Sequence, residues 1–577
     1  MKNRKLAEIF NEMADILEFQ NVQWKPRAYR SAARRIKNLD EDVEEIYKEH
    51  GKKGLSDIEG IGKSLAEHIA DYLEEGTIKK YDELKKEVPE ELSQLLSIEG
   101  LGPSKVRDLV NKLGVKNIDD LKKAINEKEI RKLEGFGEKT EENILKSLEQ
   151  YELRHKRMRI DTAMNIATEI IEYLKEKGNV KKIDYAGSLR RMKETIGDID
   201  ILTIAPDNKK VMKIFADMSS VSRVQVKGDT KTTVELKEGV DVDLRVVPEK
   251  AYGAALLYFT GSKDHNIQLR KIAIDKNYKL SEYGLFEMSE DGEEGKWISG
   301  KSEEEVYKSL DLAFIPPELR ENRGEIKQAK DNKIPNLITV NDYKGDLHMH
   351  TKYSDGAGTI DDMLSRAEEL GYEYVAISDH SVSERIANGL SIDRLKEQWE
   401  EIDKISKNYK IKILKSAEVD ILPDGSLDYP EEVIKEMDLV IAAIHSRFKS
   451  SEDEMTSRII KAFETGNINI FAHPTGRMIG KREGYNVNMK RLFKAASDNN
   501  VVLEINSDPN RLDLNDVHIL QAKKYGVKFA IDTDSHSPST LKNIMYGIGI
   551  ARRGWLEPKD VINTMSWKEL KTFLKGK

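Results

Sequence analysis

"YAGSLRRMKETIGDIDILTIA", residues 185–205, carries the residues around which the rest of the chain can be read. "DIDILTI" alternates polar and apolar positions, so it reads as a strand with Asp198 and Asp200 on one face. A second strand, "GVDVDLRVV" at 239–247, offers Asp241 and Asp243 on one face. Two carboxylates from one strand and a third from its neighbour can hold two divalent cations. Such a pair stabilises the attacking and leaving oxygens of a phosphoryl transfer. Ser188 and Arg191 of "GSLRR" suit the phosphates of a bound triphosphate. Asp241 reads as a solvent-facing acid, which leaves Asp198, Asp200 and Asp243 as the chemical set.

A chain of 577 residues is too long for one core, so three or more domains are expected. Its 38% hydrophobic and 34% charged residues describe a globular protein, and no apolar run approaches a membrane span. The start, "MKNRKLAEIFNEMADIL", interrupts its apolar positions with Glu and Asp and reads as an amphipathic helix rather than a signal peptide. With no cysteine, disulfides and thiolate metal sites are excluded, and a prokaryotic cytoplasmic protein is expected. A net charge of −8 means that any nucleic acid must be held by local geometry rather than by overall charge.

That geometry is legible in a repeat. "IEGIG" (58–62), "IEGLG" (98–102) and "LEGFG" (133–137) each precede a helix-like run such as "KSLAEHIADYL" or "PSKVRDLVNKL". Glycine permits the tight turn, and the amides opening the second helix face outward toward an anion. The pattern resembles helix-hairpin-helix motifs, which hold DNA backbone without reading sequence. Gly60, Gly62, Gly100, Gly102, Gly135 and Gly137 are the expected contacts.

With "GSLRR…GDID", "DLRVVP", "YFTGSKDHNIQLR" (258–270) and "IPPELRENRGE" (315–325) in this order, the first 325 residues resemble a family X DNA polymerase. The resemblance implies a helical domain at 1–85, a fingers-like domain at 86–152, an α+β nucleotidyltransferase palm at 153–255 and a thumb-like domain at 256–325. It implies that Asp198 and Asp200 bind Mg²⁺ or Mn²⁺ and that Asp243 orients or deprotonates the primer 3′-hydroxyl. Ser188 and Arg191 would hold the triphosphate of a dNTP, and Tyr258, Phe259 and Gly261 the sugar. Asn266 would meet the base and Arg270 the template. Lys25 and Tyr29 match a pocket for a 5′-phosphate in gapped or primed double-stranded DNA. The family's Schiff-base lysine aligns with His68, so lyase chemistry is not expected; Lys63 is the nearest amine.

After a polar stretch expected as a linker (326–342), strands alternate with helical runs. They are "YEYVAISDH", "KILKSAEVDI", "DLVIAAIHS", "INIFAHP", "VVLEIN" and "KFAIDTDSH". Parallel strands joined by helices, closing into a barrel, are expected over 343–577. Of the chain's 11 histidines, seven lie here. Most strands end in a metal-ligating residue, and strand ends of a barrel converge on one mouth. The set is His348, His350, Asp355, His380, Glu418, His445, His473, Asp534 and His536; His518 falls on a helix-like run and reads as packing. Nine ligands imply two or three ions, and imidazole with carboxylate suits Zn²⁺, Mn²⁺ or Fe²⁺.

This segment is similar to the polymerase-and-histidinol-phosphatase (PHP) domain, with every expected ligand position filled. The resemblance implies hydrolysis of phosphate esters: 3′–5′ exonuclease, abasic-site endonuclease or 3′-phosphatase. A monomeric repair polymerase fused to a DNA-end-processing hydrolase is therefore expected. The rival readings are a nucleotidyltransferase on a non-DNA substrate carrying a small-molecule phosphatase, and a non-catalytic DNA-end scaffold. The triple hairpin weighs against the first and the carboxylate trio against the second.

Overall fold

The computed structural model describes residues 2–575 except 21, 38, 40–42, 59, 76–77, 88–94, 97, 99, 156 and 290–293. It divides into two compact units, 1–156 and 157–577.

The first unit is helical. Helices α1 (Lys2–Phe19), α2 (Lys25–Lys37), α3 (Val43–Asp57), α4 (Lys63–Glu75) and α5 (Lys79–Glu87) enclose one apolar core. A second core forms beneath α6 (Pro103–Leu113), α7 (Ile118–Asn126) and α8 (Glu138–His155). Each of the three hairpins turns on its first glycine, with φ of 86° at Gly60, 86° at Gly100 and 85° at Gly135. That is left-handed backbone, which glycine adopts at little cost. The same bond closes all three turns: the amides of Ile61, Leu101 and Phe136 donate to the carbonyls of Ile58, Ile98 and Leu133, each at 3.0 Å. A helix then begins one residue past the second glycine, at Lys63, Pro103 and Glu138.

The second unit opens with a five-stranded sheet. Strands β1 (Lys182–Tyr185), β2 (Asp198–Ile204), β3 (Val221–Lys227), β4 (Lys231–Leu236) and β5 (Asp241–Val246) lie in the order β1-β2-β5-β4-β3. β2 and β5 pair in parallel, which sets Asp200 directly opposite Asp243. A three-stranded meander, β6 (Tyr278–Ser281), β7 (Gly284–Met288) and β8 (Glu294–Ser299), follows among helices.

Seven parallel strands then run in sequence order: β9 (Gly345–Asp346), β10 (Tyr374–Ile377), β11 (Lys412–Asp420), β12 (Leu439–Ala443), β13 (Ile470–Phe471), β14 (Val502–Asn506) and β15 (Phe529–Asp532). A parallel bridge between Met349 and Ser535 joins the first strand's exit to the last, so the sheet nearly closes into the expected barrel. Parallel strands are covered on both sides, and the residues of β10, β12 and β14 are all buried.

The segment 326–342 is packed rather than extended. The helix Glu325–Lys330 occupies its start, Leu337 and Ile338 are buried, and the Ile338 amide donates to the Leu556 carbonyl at 3.0 Å. Ile338 also belongs to one apolar cluster running from the five-stranded sheet into the barrel. The apolar residues of this run are interrupted by Asp331, Asn332 and Pro335, so sequence alone suggested a tether. Further contacts stitch the same seam. Arg477 donates to both oxygens of Glu194 at 2.7 and 3.1 Å. A Cβ built on Gly549, in the helix Ile544–Arg553, would fall 2.4 Å from Met192 Cε.

Glu303 accepts two bonds from Arg190 at 2.7 and 2.8 Å and one from fully buried Arg320 at 2.6 Å. Burial works against its ionisation, but Arg320 and Arg190 outweigh it and hold the carboxyl down at about 2. A depressed folded-state pKa stabilises the fold above the ordinary carboxylate range and is lost as pH falls through the depressed value. Glu303→Gln should therefore cost about 3 kcal/mol at neutral pH. In thermal unfolding, the gap to the parent chain should shrink as pH drops from about 4.5 toward 2. A gap constant with pH would contradict the ion-pair account.

Candidate functional site

The turn Gly187–Arg190 sits so close to β2 that a Cβ on Gly187 would meet Asp200 Oδ2 at 2.4 Å. The motif's glycine thus lets this turn lie against the carboxylates. Asp198 and Asp200 share one face of β2, as alternation predicts, and the parallel register brings Asp243 alongside. Asp243 is held by Thr233 Oγ1 at 2.6 Å, Lys231 Nζ at 2.9 Å and Arg245 Nη2 at 3.1 Å. Burial, then the charges of Asp198 and Asp243, push the Asp200 carboxyl up to about 7. Carboxylates clustered so closely that Asp200 is pushed toward protonation are a donor set that divalent cations fit.

Beside them opens a cavity of about 820 Å³. Ser188, Arg191, Tyr258, Phe259, Gly261, Asn266 and Arg270 all line it, together with Asp198 and Asp200. The structure therefore brings together the seven residues expected around a nucleotide. Asn266 Nδ2 donates to the Tyr258 carbonyl at 2.7 Å, and Arg191 donates to Glu321 at 3.0 Å and to the Thr260 carbonyl. Asp241 accepts from Gln225 Nε2 at 2.6 Å and is not among the residues that line the cavity. Among the lining residues that were not anticipated, Asp516 and Arg553 come from the barrel end of the chain.

At the barrel mouth all nine expected ligands converge. Glu418, at the end of β11, is the hub. His348, His350 and His380 approach one of its oxygens at 3.5, 3.6 and 2.9 Å, and His445 and His473 approach the other at 3.4 and 2.8 Å. Asp534 lies 3.1 Å from His350 and 3.7 Å from His348. Asp355 lies 3.3 Å from His536 and 3.7 Å from His380.

His350 Nε2 is 3.1 Å from His348 Nε2, and the buried Nδ1 atoms of His350 and His473 have no hydrogen-bond partner. Burial, with His536 and His380, pushes the His350 imidazole down to about 3; burial and Arg511 push His473 to about 4. Against burial, Glu418 draws His380 up to about 8 and Asp355 draws His536 up to about 9, so the mouth gathers imidazoles and carboxylates, a donor set that metal ions fit.

Sequence reasoning missed the residues that aim these rings. Glu504 takes His348 Nδ1 at 2.6 Å, and Asp420 takes His445 Nδ1 at 2.6 Å, leaving each Nε2 for the mouth. Carboxylate partners of this kind fix the ring's orientation and tautomer. For Glu504 the signal was present: it is an acid inside the otherwise apolar run "VVLEI". His518 lies on the helix Asp516–Lys523 near Phe493, away from the mouth, as expected.

In the helical unit, Lys25, Tyr29, Gly60, Gly62, Lys63 and His68 line a cavity of about 620 Å³, and Tyr29 stacks on His68 with ring centroids 6.1 Å apart. At Gly62, Gly100, Gly102, Gly135 and Gly137 an added Cβ would meet nothing within 4 Å, so these turns present open backbone. The glutamates of the first two repeats, at 59 and 99, lie outside the described residues.

A carboxylate-bearing sheet beside a phosphate-type turn, joined to a histidine-rich barrel mouth, defines a phosphoryl-transfer enzyme with two separate metal-dependent sites. Comparison with known families agrees. A helix-hairpin-helix domain matches residues 1–78 and a SAM-like helix-hairpin-helix tandem 92–150. A DNA polymerase beta thumb matches 255–321 and a PHP domain 346–508. The chain is 38% identical over 579 residues to DNA polymerase/3′-5′ exonuclease PolX of Bacillus subtilis, covering 100% of each. It is 25% identical to DNA polymerase lambda of Rattus norvegicus across 55% of this chain and 56% of that one. A Clostridium novyi protein named "Probable phosphatase" is 26% identical across 41% of this chain and 96% of its own length. The chain belongs to the family X DNA polymerases that carry a C-terminal PHP domain.

Glu504→Gln should weaken metal retention by roughly 10- to 100-fold, because His348 loses its orienting carboxylate. Elemental analysis after dialysis against graded chelator measures this. Retention equal to the parent chain would remove Glu504 from the site's support.

Proposed function

We propose that this chain fills short gaps in DNA during repair and trims DNA ends, using two active sites within one polypeptide. One observation supports the reading: a cavity lined by Asp198 and Asp200 and a mouth where nine potential ligands gather occur in a chain matched end to end by a relative named for both activities.

The division of labour follows the chain: DNA-gripping helical parts at 1–85 and 86–152, a palm at 153–255, a thumb-like part at 256–325 and the PHP domain at 343–577. Asp198 and Asp200 hold Mg²⁺ or Mn²⁺, and Asp243 faces the primer 3′-hydroxyl. Ser188 and Arg191 bind the triphosphate of the incoming dNTP. Tyr258, Phe259 and Gly261 shape the sugar pocket, Asn266 meets the base and Arg270 the template. The cations supply neutralisation of the charge that develops on the transferring phosphate.

At the barrel, His348, His350, Asp355, His380, Glu418, His445, His473, Asp534 and His536 hold two or three of Zn²⁺, Mn²⁺ or Fe²⁺. They do so for 3′–5′ exonuclease action, with abasic-site incision and 3′-phosphate removal as further activities of the same mouth. Gapped or primed double-stranded DNA is gripped through the glycine hairpins, with Lys25 and Tyr29 at a 5′-phosphate. A small-molecule substrate would have no use for three such grips. The chain acts as a monomer, both sites being complete in one copy, in the cytoplasm of a prokaryotic cell.

Asp198→Ala or Asp243→Ala should reduce primer extension by about 10³-fold or more while leaving end-trimming near the parent rate. His350→Ala or Asp534→Ala should do the reverse. A 5′-labelled primer on a gapped template with Mn²⁺, with and without dNTPs, reads both. Extension near the parent rate in either palm variant would sink the palm assignment.

With imidazole at position 68, no Schiff base is expected on a 5′-incised abasic site when EDTA is present. Borohydride trapping tests this, and a covalent adduct at Lys63 or another N-terminal lysine would overturn it.

A further inference from the structure

The cavity beside Asp198 and Asp200 is finished by the wrong domain. Arg553 ends the helix Ile544–Arg553 at the far end of the chain, yet its buried guanidinium lines that cavity. Its Nη1 donates to the backbone carbonyl of Arg191 at 2.7 Å and to Glu321 Oε1 at 2.9 Å. Its Nη2 donates to Asp516 Oδ2 at 2.5 Å, and Asp516 also takes Arg323 at 3.0 Å.

The oxygen of Glu321 that accepts from Arg553 also accepts from Arg191 Nε, at 3.0 Å, and Lys193 stands 3.7 Å from its other oxygen. Four cations therefore share two carboxylates. Burial and the Arg553 guanidinium both lower the Lys193 pKa, as a local excess of positive charge requires.

Alone beside Arg191, Glu321 would neutralise the cation meant for phosphate. Shared with Arg553, it is committed elsewhere, and Arg191 keeps charge to spend on an anion in the cavity. The bond to the Arg191 carbonyl pins the same residue's backbone.

We propose that Arg553 of the PHP domain is a positioning residue for nucleotide binding in the polymerase cavity, acting on Arg191 through Glu321. This rests on the reading of that cavity as the dNTP site. The triphosphate of the incoming nucleotide is then bound by a pocket that is incomplete without the barrel. The contribution is electrostatic and lies in binding rather than in the chemical step.

The test is steady-state primer extension by the full-length protein on a one-nucleotide gap, with hydrolytic trimming of the same preparation as the measure of intact folding. Arg553→Met should raise the KM for dNTP about tenfold and change kcat less than about twofold. Adding Glu321→Gln should bring KM back to within about threefold of the parent, since the surplus carboxylate is gone. A role in folding alone would not be rescued in that way.

Removing one member of a buried ion network can unfold a domain. If Arg553→Met loses trimming, Arg553→Lys takes its place, and a smaller KM rise, also reversed by Glu321→Gln, is expected. Arg191→Ala separates the two claims. An unchanged KM in Arg191→Ala removes the cavity's assignment itself. A raised KM there overturns this proposal alone if the Arg553 variants keep the parent KM, lose kcat instead, or go unrescued by Glu321→Gln.

Discussion

The contact between Arg190 and the carboxylate of Glu303 governs the polymerase half of the molecule. Arg190 ends the same short turn that presents Ser188 and Arg191, and its two bonds to Glu303, backed by Arg320, fix that turn against the thumb-like region. If the pair opened, the phosphate-type turn and the residues 258–270 opposite it would lose their common frame. The cavity depends on their distance. Buried charge is costly unless fully paired, so the closed arrangement is strongly preferred over a half-paired one.

A second constraint shapes the barrel. Its strands run parallel and in sequence order, so every strand delivers its C-terminal end to one mouth. Histidines scattered over 189 positions of chain, from 348 to 536, become neighbours around Glu418 for that reason. Glu504 and Asp420 then decide which nitrogen of His348 and His445 faces inward. Charge of one sign is gathered in the palm and lone pairs are gathered in the barrel, and both arrangements invite cations.

Much of this was legible in the sequence because the signals are local. The β2 pattern put Asp198 and Asp200 on one face, the repeated glycines marked three identical turns, and the strand-end histidines announced a mouth. What was hidden is non-local. Glu303, Arg320 and Arg553 are unremarkable charges in sequence and acquire meaning only through partners 17 to 362 positions away. The packed course of residues 326–342 was hidden for the same reason: the Ile338 amide finds its partner, the Leu556 carbonyl, more than two hundred residues later. Glu504 was within reach, since an acid in the middle of "VVLEIN" has no place in a buried strand unless something there needs it.

Gly549 shows what it costs a helix to serve two masters. One side of Ile544–Arg553 covers the barrel, and the other lies so near Met192 that even a methyl group would collide with it. A side chain there would first push aside the flexible end of Met192, and anything larger than a methyl group would press on the rest of that residue. Drift in this helix is therefore restricted from both directions at once. The halves of the molecule can diverge freely over most of their surfaces, but at this seam they must change together or not at all.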